Sequence, residues 1–165
     1  MWYFLLKKCV SLFFNLLNVV LGGKLPPFGS ACMVVEEDGR YLVVQMPAGT
    51  VTFPGGFMTW RETPQQAAER EGHEETGLTL QVASLINCYS CPSDRWTRMS
   101  TISFAFRGTV MGGELRDNME GRPLWLTLEE LRPRLRGHAL NVLDDYLRTR
   151  TQLVPASSSL VPLVQ

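Results

Sequence analysis

Residues 55–78 read Gly-Gly-Phe-Met-Thr-Trp-Arg-Glu-Thr-Pro-Gln-Gln-Ala-Ala-Glu-Arg-Glu-Gly-His-Glu-Glu-Thr-Gly-Leu. In a chain of 165 residues with 16 basic and 16 acidic side chains, this window sets Glu62, Glu69, Glu71, Glu74 and Glu75 against only Arg61 and Arg70. Its second half has the marks of a helix. Thr63 suits the N-cap and Pro64 the first helical position, Gln66 completes a Thr-x-x-Gln capping box, and Gly77 suits a left-handed stop. Glu71, Glu74 and Glu75 then stand at i, i+3 and i+4 and share one helix face.

Like charges at that spacing weaken an isolated helix by roughly a few tenths of a kcal/mol per pair, so the cluster does not serve helix stability. A bound cation reverses the sign. Three hard oxygen ligands on a rigid face suit Mg²⁺ or Mn²⁺, which accept a few carboxylates, keep several waters and draw the rest from substrate phosphate. The competing reading is a solvated acidic face. The preceding Phe53-Pro54-Gly55-Gly56-Phe57 favours the cation. It reads as a strand end turning sharply, where glycines admit close approaches and present carbonyls to a cation and N–H groups to a phosphate.

From Gly56 the order is glycine, five residues, Glu62, seven residues, Arg70-Glu71, two residues, Glu74-Glu75, one residue, Gly77, and then apolar Leu78. This resembles the Nudix box of the Nudix hydrolases at every fixed position. Gly72 departs from the pattern, standing where the family usually has an aliphatic residue. A mid-helix glycine costs about 1 kcal/mol relative to alanine, so a looser helix or close packing of another segment is expected there.

The resemblance implies an α/β fold: a Nudix-type α/β/α sandwich with a mixed β-sheet. It also implies hydrolysis of a diphosphate linkage in a nucleoside diphosphate joined to another moiety, by metal-activated water. Glu71, Glu74, Glu75 and the Gly55 carbonyl would hold Mg²⁺ or Mn²⁺, and Arg70 would pair structurally with a carboxylate such as Glu62. The general base would be a box glutamate or an acid on a later loop. Glu120 is the candidate for the latter, a solvated loop glutamate being its other reading. Arg95, Arg98 and Arg107 are candidates for substrate phosphate or ribose, and Trp60 and Trp96 for stacking on a base. ADP-ribose-cleaving members tend to carry a proline about fifteen residues past the box, a position Pro92 matches. The alternative function is a non-catalytic Nudix-fold nucleotide sensor held at a membrane. Retention of all three box glutamates favours the enzyme.

Outward from the box, residues 2–21 form the second unusual stretch. Lys8, Ser11, Asn15 and Asn18 recur at helical spacing as a narrow polar stripe, while Leu12, Phe13, Leu16, Leu17, Val20 and Leu21 fill a wide apolar face. Lys7 and Lys8 leave the apolar run too short to span a bilayer comfortably, and no small-residue cleavage site follows for a signal peptide. The helix therefore lies in a membrane interface, covers an apolar surface of its own domain or pairs with a second copy as a homodimer. A true signal anchor is the weaker fourth reading. Residues 1–24 are thus read as helix and linker, 25–150 as the catalytic domain and 151–165 as a loose tail.

Within 25–150, Ser30–Glu36 and Arg40–Met46 read as a hairpin through Asp38-Gly39, and Val51–Phe53 as a third strand. Thr79–Ala83, Leu85–Cys91, Met99–Val110 and Leu124–Leu126 are further strands. A helix capped by Thr127 runs to Leu135, and Ala139–Arg150 is the last helix. Net charge near zero gives no electrostatic case for a nucleic-acid duplex. Cys88-x-x-Cys91 lacks two further ligands for zinc, and Cys9, Cys32, Cys88 and Cys91 read as free thiols. Reduced thiols fit the cytoplasm, with residues 2–21 allowing a peripheral place at the membrane. His73 and His138 read as surface or helix-end residues.

Overall fold

The computed structural model describes residues 2–47, 49–118 and 121–153. Four helices and seven strands follow in the order α1 (Trp2–Val20), β1 (Phe28–Glu37), β2 (Arg40–Gln45), β3 (Val51–Thr52), β4 (Gly55–Phe57), α2 (Pro64–Thr76), β5 (Leu78–Cys91), β6 (Thr101–Gly113), β7 (Arg122–Thr127), α3 (Leu128–Leu131) and α4 (His138–Leu153). The strands form one mixed sheet. Its main path runs β3-β2-β1-β6-β5, β4 pairs with β1, and β7 pairs with β2. The β1–β6 pair is parallel, with Cys32 opposite Ala105. The other pairs are antiparallel.

Two-residue periodicity explains why the sheet is covered on both sides. Ala31, Met33 and Val35 of β1, Leu42 of β2 and Phe106 of β6 turn to one face, where Ala67 and Ala68 of α2 pack on them with Leu78 and Leu80. The alternate residues Val34, Tyr41, Val43 and Ala105 turn to the other face and meet Leu131, Leu135, Val142, Leu143 and Tyr146. The result is the expected α/β/α sandwich. It holds the acidic helix against one face and α4 against the other.

Five local expectations are corrected. Residues 78–91 form one strand rather than two, because shifts in register between Val82 and Ser84 and between Leu85 and Asn87 absorb the apparent break as bulges. The glycine turn is itself a short strand, with Gly56 opposite Ala31 and Gly55 opposite Cys32. Gly112-Gly113 does not end β6, which stays paired with Leu78 and Thr79. The helix after Thr127 stops at Leu131, two residues before Pro133, which a helix interior excludes. The last helix continues to Leu153, past the boundary drawn at Arg150, and residues 154–165 of the expected tail lie outside the described residues.

The N-terminal helix is present, but Ser11, Asn15 and Asn18 of its polar stripe face the domain while Lys8 is exposed. Ser11 is buried. Asn15 Nδ2 donates to the carbonyls of Trp96 at 2.7 Å and Arg98 at 2.9 Å, and Asn18 Oδ1 accepts from the Leu25 N–H at 2.9 Å. Phe14 packs edge-on against Phe28, with ring centroids 4.7 Å apart. Leu12, Phe13, Leu16, Val19, Val20 and Leu21 are exposed. Among the described residues no helix is long and apolar enough to cross a membrane.

Candidate active site

The acidic helix begins and ends as its sequence dictates. Thr63 Oγ1 accepts the Gln66 N–H at 3.2 Å while Gln66 Oε1 accepts the Thr63 N–H at 3.0 Å. At the other end Gly77 is left-handed, with φ 77°, and its N–H returns to the His73 carbonyl at 2.8 Å. His73 itself is a helix-end residue whose Nδ1 lies 3.1 Å from the Leu78 carbonyl.

Arg70 joins the glycine loop to this helix. Its Nε and Nη2 reach the two oxygens of Glu62 at 2.6 and 3.0 Å, and Nη2 also donates to the Phe57 carbonyl at 3.0 Å. Glu62 in turn accepts the Thr59 N–H at 2.9 Å. These bonds, Arg70 first, push the Glu62 carboxyl down to about 2. Nη1 of Arg70 lies 2.9 Å from Glu71 Oε1 and 3.0 Å from Glu74 Oε2. One guanidinium thus offsets the repulsion that the i, i+3 spacing builds in.

The third glutamate is held differently. Glu75 is only 7 % exposed, and its Oε2 accepts the Gly55 N–H at 2.8 Å. Gly56 lies directly under Glu71, so that a Cβ built on it would stand 2.5 Å from Glu71 Oε1. Among the described residues no group of three or more acidic, histidine or cysteine side chains is placed to hold a metal ion. The donor set nonetheless suits a hard cation. It is all hard oxygen on one helix face beside the Gly55 loop, the donor type that Mg²⁺ and Mn²⁺ prefer.

Gly72 is buried, and a Cβ on it would stand 2.7 Å from Leu80 Cδ1. The departure from the family pattern is therefore matched by close approach of β5, one of its two expected consequences. The Gly72 carbonyl accepts the Thr76 hydroxyl at 2.6 Å.

The later loop reaches the same helix. Arg116 N–H donates to the Thr76 carbonyl at 2.9 Å, and Asn118 Nδ2 donates to the Glu74 carbonyl at 2.9 Å. Glu120, the candidate base, lies outside the described residues. Trp60 is 86 % exposed in the loop that Arg70 braces, with the Arg61 guanidinium stacked 4.1 Å from its ring. Arg95 and Arg98 are exposed, both reach Asp94, and their backbone carbonyls face Asn15. Arg107 is corrected as a substrate candidate. Its guanidinium stacks 4.2 Å from the Tyr146 ring and donates to the Tyr146 carbonyl and Thr149 hydroxyl, which commits it to α4.

A cavity of about 170 Å³ opens behind the glycine loop, bounded by Gly55, Gly56, Ser30, Cys32, Ser103 and His138. His138 Nε2 lies 3.0 Å from Ser103 Oγ, its ring meets Tyr89 edge-on at 4.7 Å, and burial lowers its pKa. Burial likewise pushes the Cys32 thiol up to about 12. The sequence reading set His138 at a helix end, which is correct, but missed that Gly137 turns it under the sheet. The parallel β1–β6 pairing sets Ser30 opposite Ser103, and His138, at the start of α4, reaches Ser103 from the helix layer.

A family model described as a NUDIX domain matches residues 26–146. The chain is 35% identical over 120 residues to a protein of Methanocaldococcus jannaschii named ADP-ribose pyrophosphatase, covering 70% of each chain. It is 34% identical over 125 residues to a MutT-like protein of Streptomyces ambofaciens, covering 72% of this chain and 78% of that one. A solved NUDIX hydrolase from Nitrosomonas europaea superposes with a TM-score of 0.68 at 24% identity, over 75% of this chain and 90% of the other.

Proposed function

Because the chain belongs to the NUDIX family of pyrophosphohydrolases, we propose that it cleaves the diphosphate bridge of a nucleoside diphosphate derivative, with the ADP-ribose type as the first substrate class to test. The observation that carries this reading is the placement of Glu75 on the Gly55 N–H and of the Glu71 carboxylate over Gly56. It ties the acidic helix to a turn whose backbone can face a phosphate.

Glu71, Glu74, Glu75 and the Gly55 carbonyl are the groups to hold Mg²⁺ or Mn²⁺. Such a cation supplies charge for the phosphoryl oxygens and a lowered pKa for an attacking water. Arg70 keeps loop and helix in register through Glu62 and Phe57. The proton acceptor is Glu120 or a box glutamate. The cavity behind the loop takes part of the substrate beyond the diphosphate, with the Ser103 hydroxyl and neutral His138 as its polar groups. Trp60, Arg95 and Arg98 are the exposed candidates for the rest of the substrate. Residues 25–153 form the catalytic unit, with the last helix carried to Leu153, and 1–24 an appended helix and linker.

The test is release of AMP from ADP-ribose, set beside a panel of nucleoside triphosphates, dinucleoside polyphosphates and nucleotide sugars, with Mg²⁺, Mn²⁺ or chelator. Cation-dependent turnover that Glu74→Gln and Glu75→Gln abolish is the expected result. Metal-dependent nucleotide binding without turnover of any of these compounds would overturn it in favour of a sensor.

A further inference from the structure

Helix α1 sits on the domain with its hydrophilic side inward. Ser11, Asn15 and Asn18 stand at i, i+4 and i+7 on the face turned to the domain, where Asn15 holds the carbonyls of residues 95, 96 and 98. Helical spacing then directs Leu12, Phe13, Leu16, Val19 and Val20 away from the domain, with Leu16 58% and Val20 75% exposed. A helix that merely completed a core would be turned the other way.

Charge identifies what the outward face meets. Residues 1–35 contain Lys7, Lys8 and Lys24 and no aspartate or glutamate. The lysines lie before and after the exposed apolar run, and Lys8 and Lys24 are exposed. Beside the helix, the loop that Asn15 holds presents exposed Arg95, Arg98 and Trp96, with Asp94 its single acid. A second copy offers no acid along its own helix. Parallel or antiparallel pairing would set lysine against lysine. An anionic lipid surface satisfies both halves of the pattern: its headgroups take the lysines and arginines, and its acyl boundary takes the leucines, valines and phenylalanine. Tryptophan suits the level between. At about 1.5 Å per residue α1 has the length to lie flat, and Lys7, Lys8, Asn15 and Asn18 interrupt the apolar run that a span needs.

We infer that α1 and the 93–98 loop form one membrane-contacting face, through which the catalytic domain rests on an anionic bilayer with α1 parallel to the surface. The aromatic contacts Phe14–Phe28 and Phe28–Phe57 run from this face toward the glycine loop, so the site has a defined place relative to the lipid.

The experiment is flotation of the full chain with vesicles of phosphatidylcholine alone or with about a third phosphatidylglycerol, at low and high salt. Binding is expected to the anionic vesicles only and to fall at high salt. The double variant Leu16→Glu/Val20→Glu is expected to lose it at least tenfold. The triple variant Lys7→Gln/Lys8→Gln/Lys24→Gln leaves the apolar face intact and is expected to lose it about a hundredfold. Circular dichroism and thermal unfolding, read on both variants, separate lost binding from lost folding without reference to catalysis. Failure of the wild type to float with either vesicle would overturn the inference. So would a concentration-dependent dimer dissolved by Leu16→Glu/Val20→Glu, which would assign the face to a second copy.

Discussion

The Glu75 carboxylate accepts the backbone N–H of Gly55 at 2.8 Å across twenty residues of sequence. The bond fastens the glycine loop to the helix that carries the three carboxylates, so neither moves alone. Glu75→Gln keeps the shape but removes the charge and presents an amide. We expect kcat/KM to fall at least about a hundredfold, with the apparent affinity for Mn²⁺ lowered in a direct titration and the melting temperature nearly unchanged.

Gly56→Ala tests the seat of Glu71 without touching a charge. The added methyl would enter the space of the Glu71 carboxylate, and because the strand is short and partly exposed the domain should still fold. Activity should drop by about 10- to 100-fold. Near wild-type turnover would show that Glu71 has no fixed position to lose.

At Gly72 two effects oppose each other. Alanine adds about 1 kcal/mol of helix propensity, but its methyl would press on buried Leu80, and overpacking costs about 1–3 kcal/mol. The packing term wins, so Gly72→Ala should be less stable by about 1 kcal/mol, or about 2–4 °C in melting temperature. Gly72→Ala/Leu80→Val should recover part of the loss. A stabilised single variant would refute the packing account.

Glu62 provides the acid limb of stability. Its folded pKa, about 2, lies below the ordinary carboxylate value because Arg70 and the Thr59 N–H bind the ionised form. Its contribution is therefore present above about pH 4.5 and fades as pH falls toward 2. Urea unfolding of wild type and Glu62→Gln should differ at pH 6 and converge as pH falls below about 2. Arg70→Lys should resemble Glu62→Gln at pH 6, since an ammonium lacks the fork that meets both Glu62 oxygens.

Arg107→Gln should lower the melting temperature while leaving KM within about twofold, because its guanidinium is spent on Tyr146 and Thr149. A tenfold rise in KM with unchanged melting would return Arg107 to the substrate.

The acidic helix was legible in the sequence to its last cap because Thr63, Pro64, Gln66 and Gly77 act on neighbours within four residues. The two-sided sheet was expected from the mix of strands and helices and from the resemblance carried by residues 56–78. Interactions whose partners lie far along the chain were not. Nothing near Arg107 points to Tyr146, and nothing near His138 points to Ser103. In α1 periodicity gives two faces but not the side on which the domain sits. That is decided by carbonyls some 80 residues away, which reverses the ordinary expectation that an apolar face turns inward. Bulges in β5 likewise depend on the register of β6 and leave no local mark.

The distance between Asn15 and the carbonyl it holds at Trp96 is 81 residues, and this sets an order of events during synthesis. At about 5–20 residues per second, the helix leaves the ribosome roughly 4–16 seconds before its docking loop exists. β1 waits in the same way for its parallel neighbour β6. For that interval the apolar face travels without a folded domain behind it. On the inferred contact with an anionic surface, recruitment would begin while the catalytic unit is still being translated, and the nascent chain's fate would be tied to whatever meets that helix first.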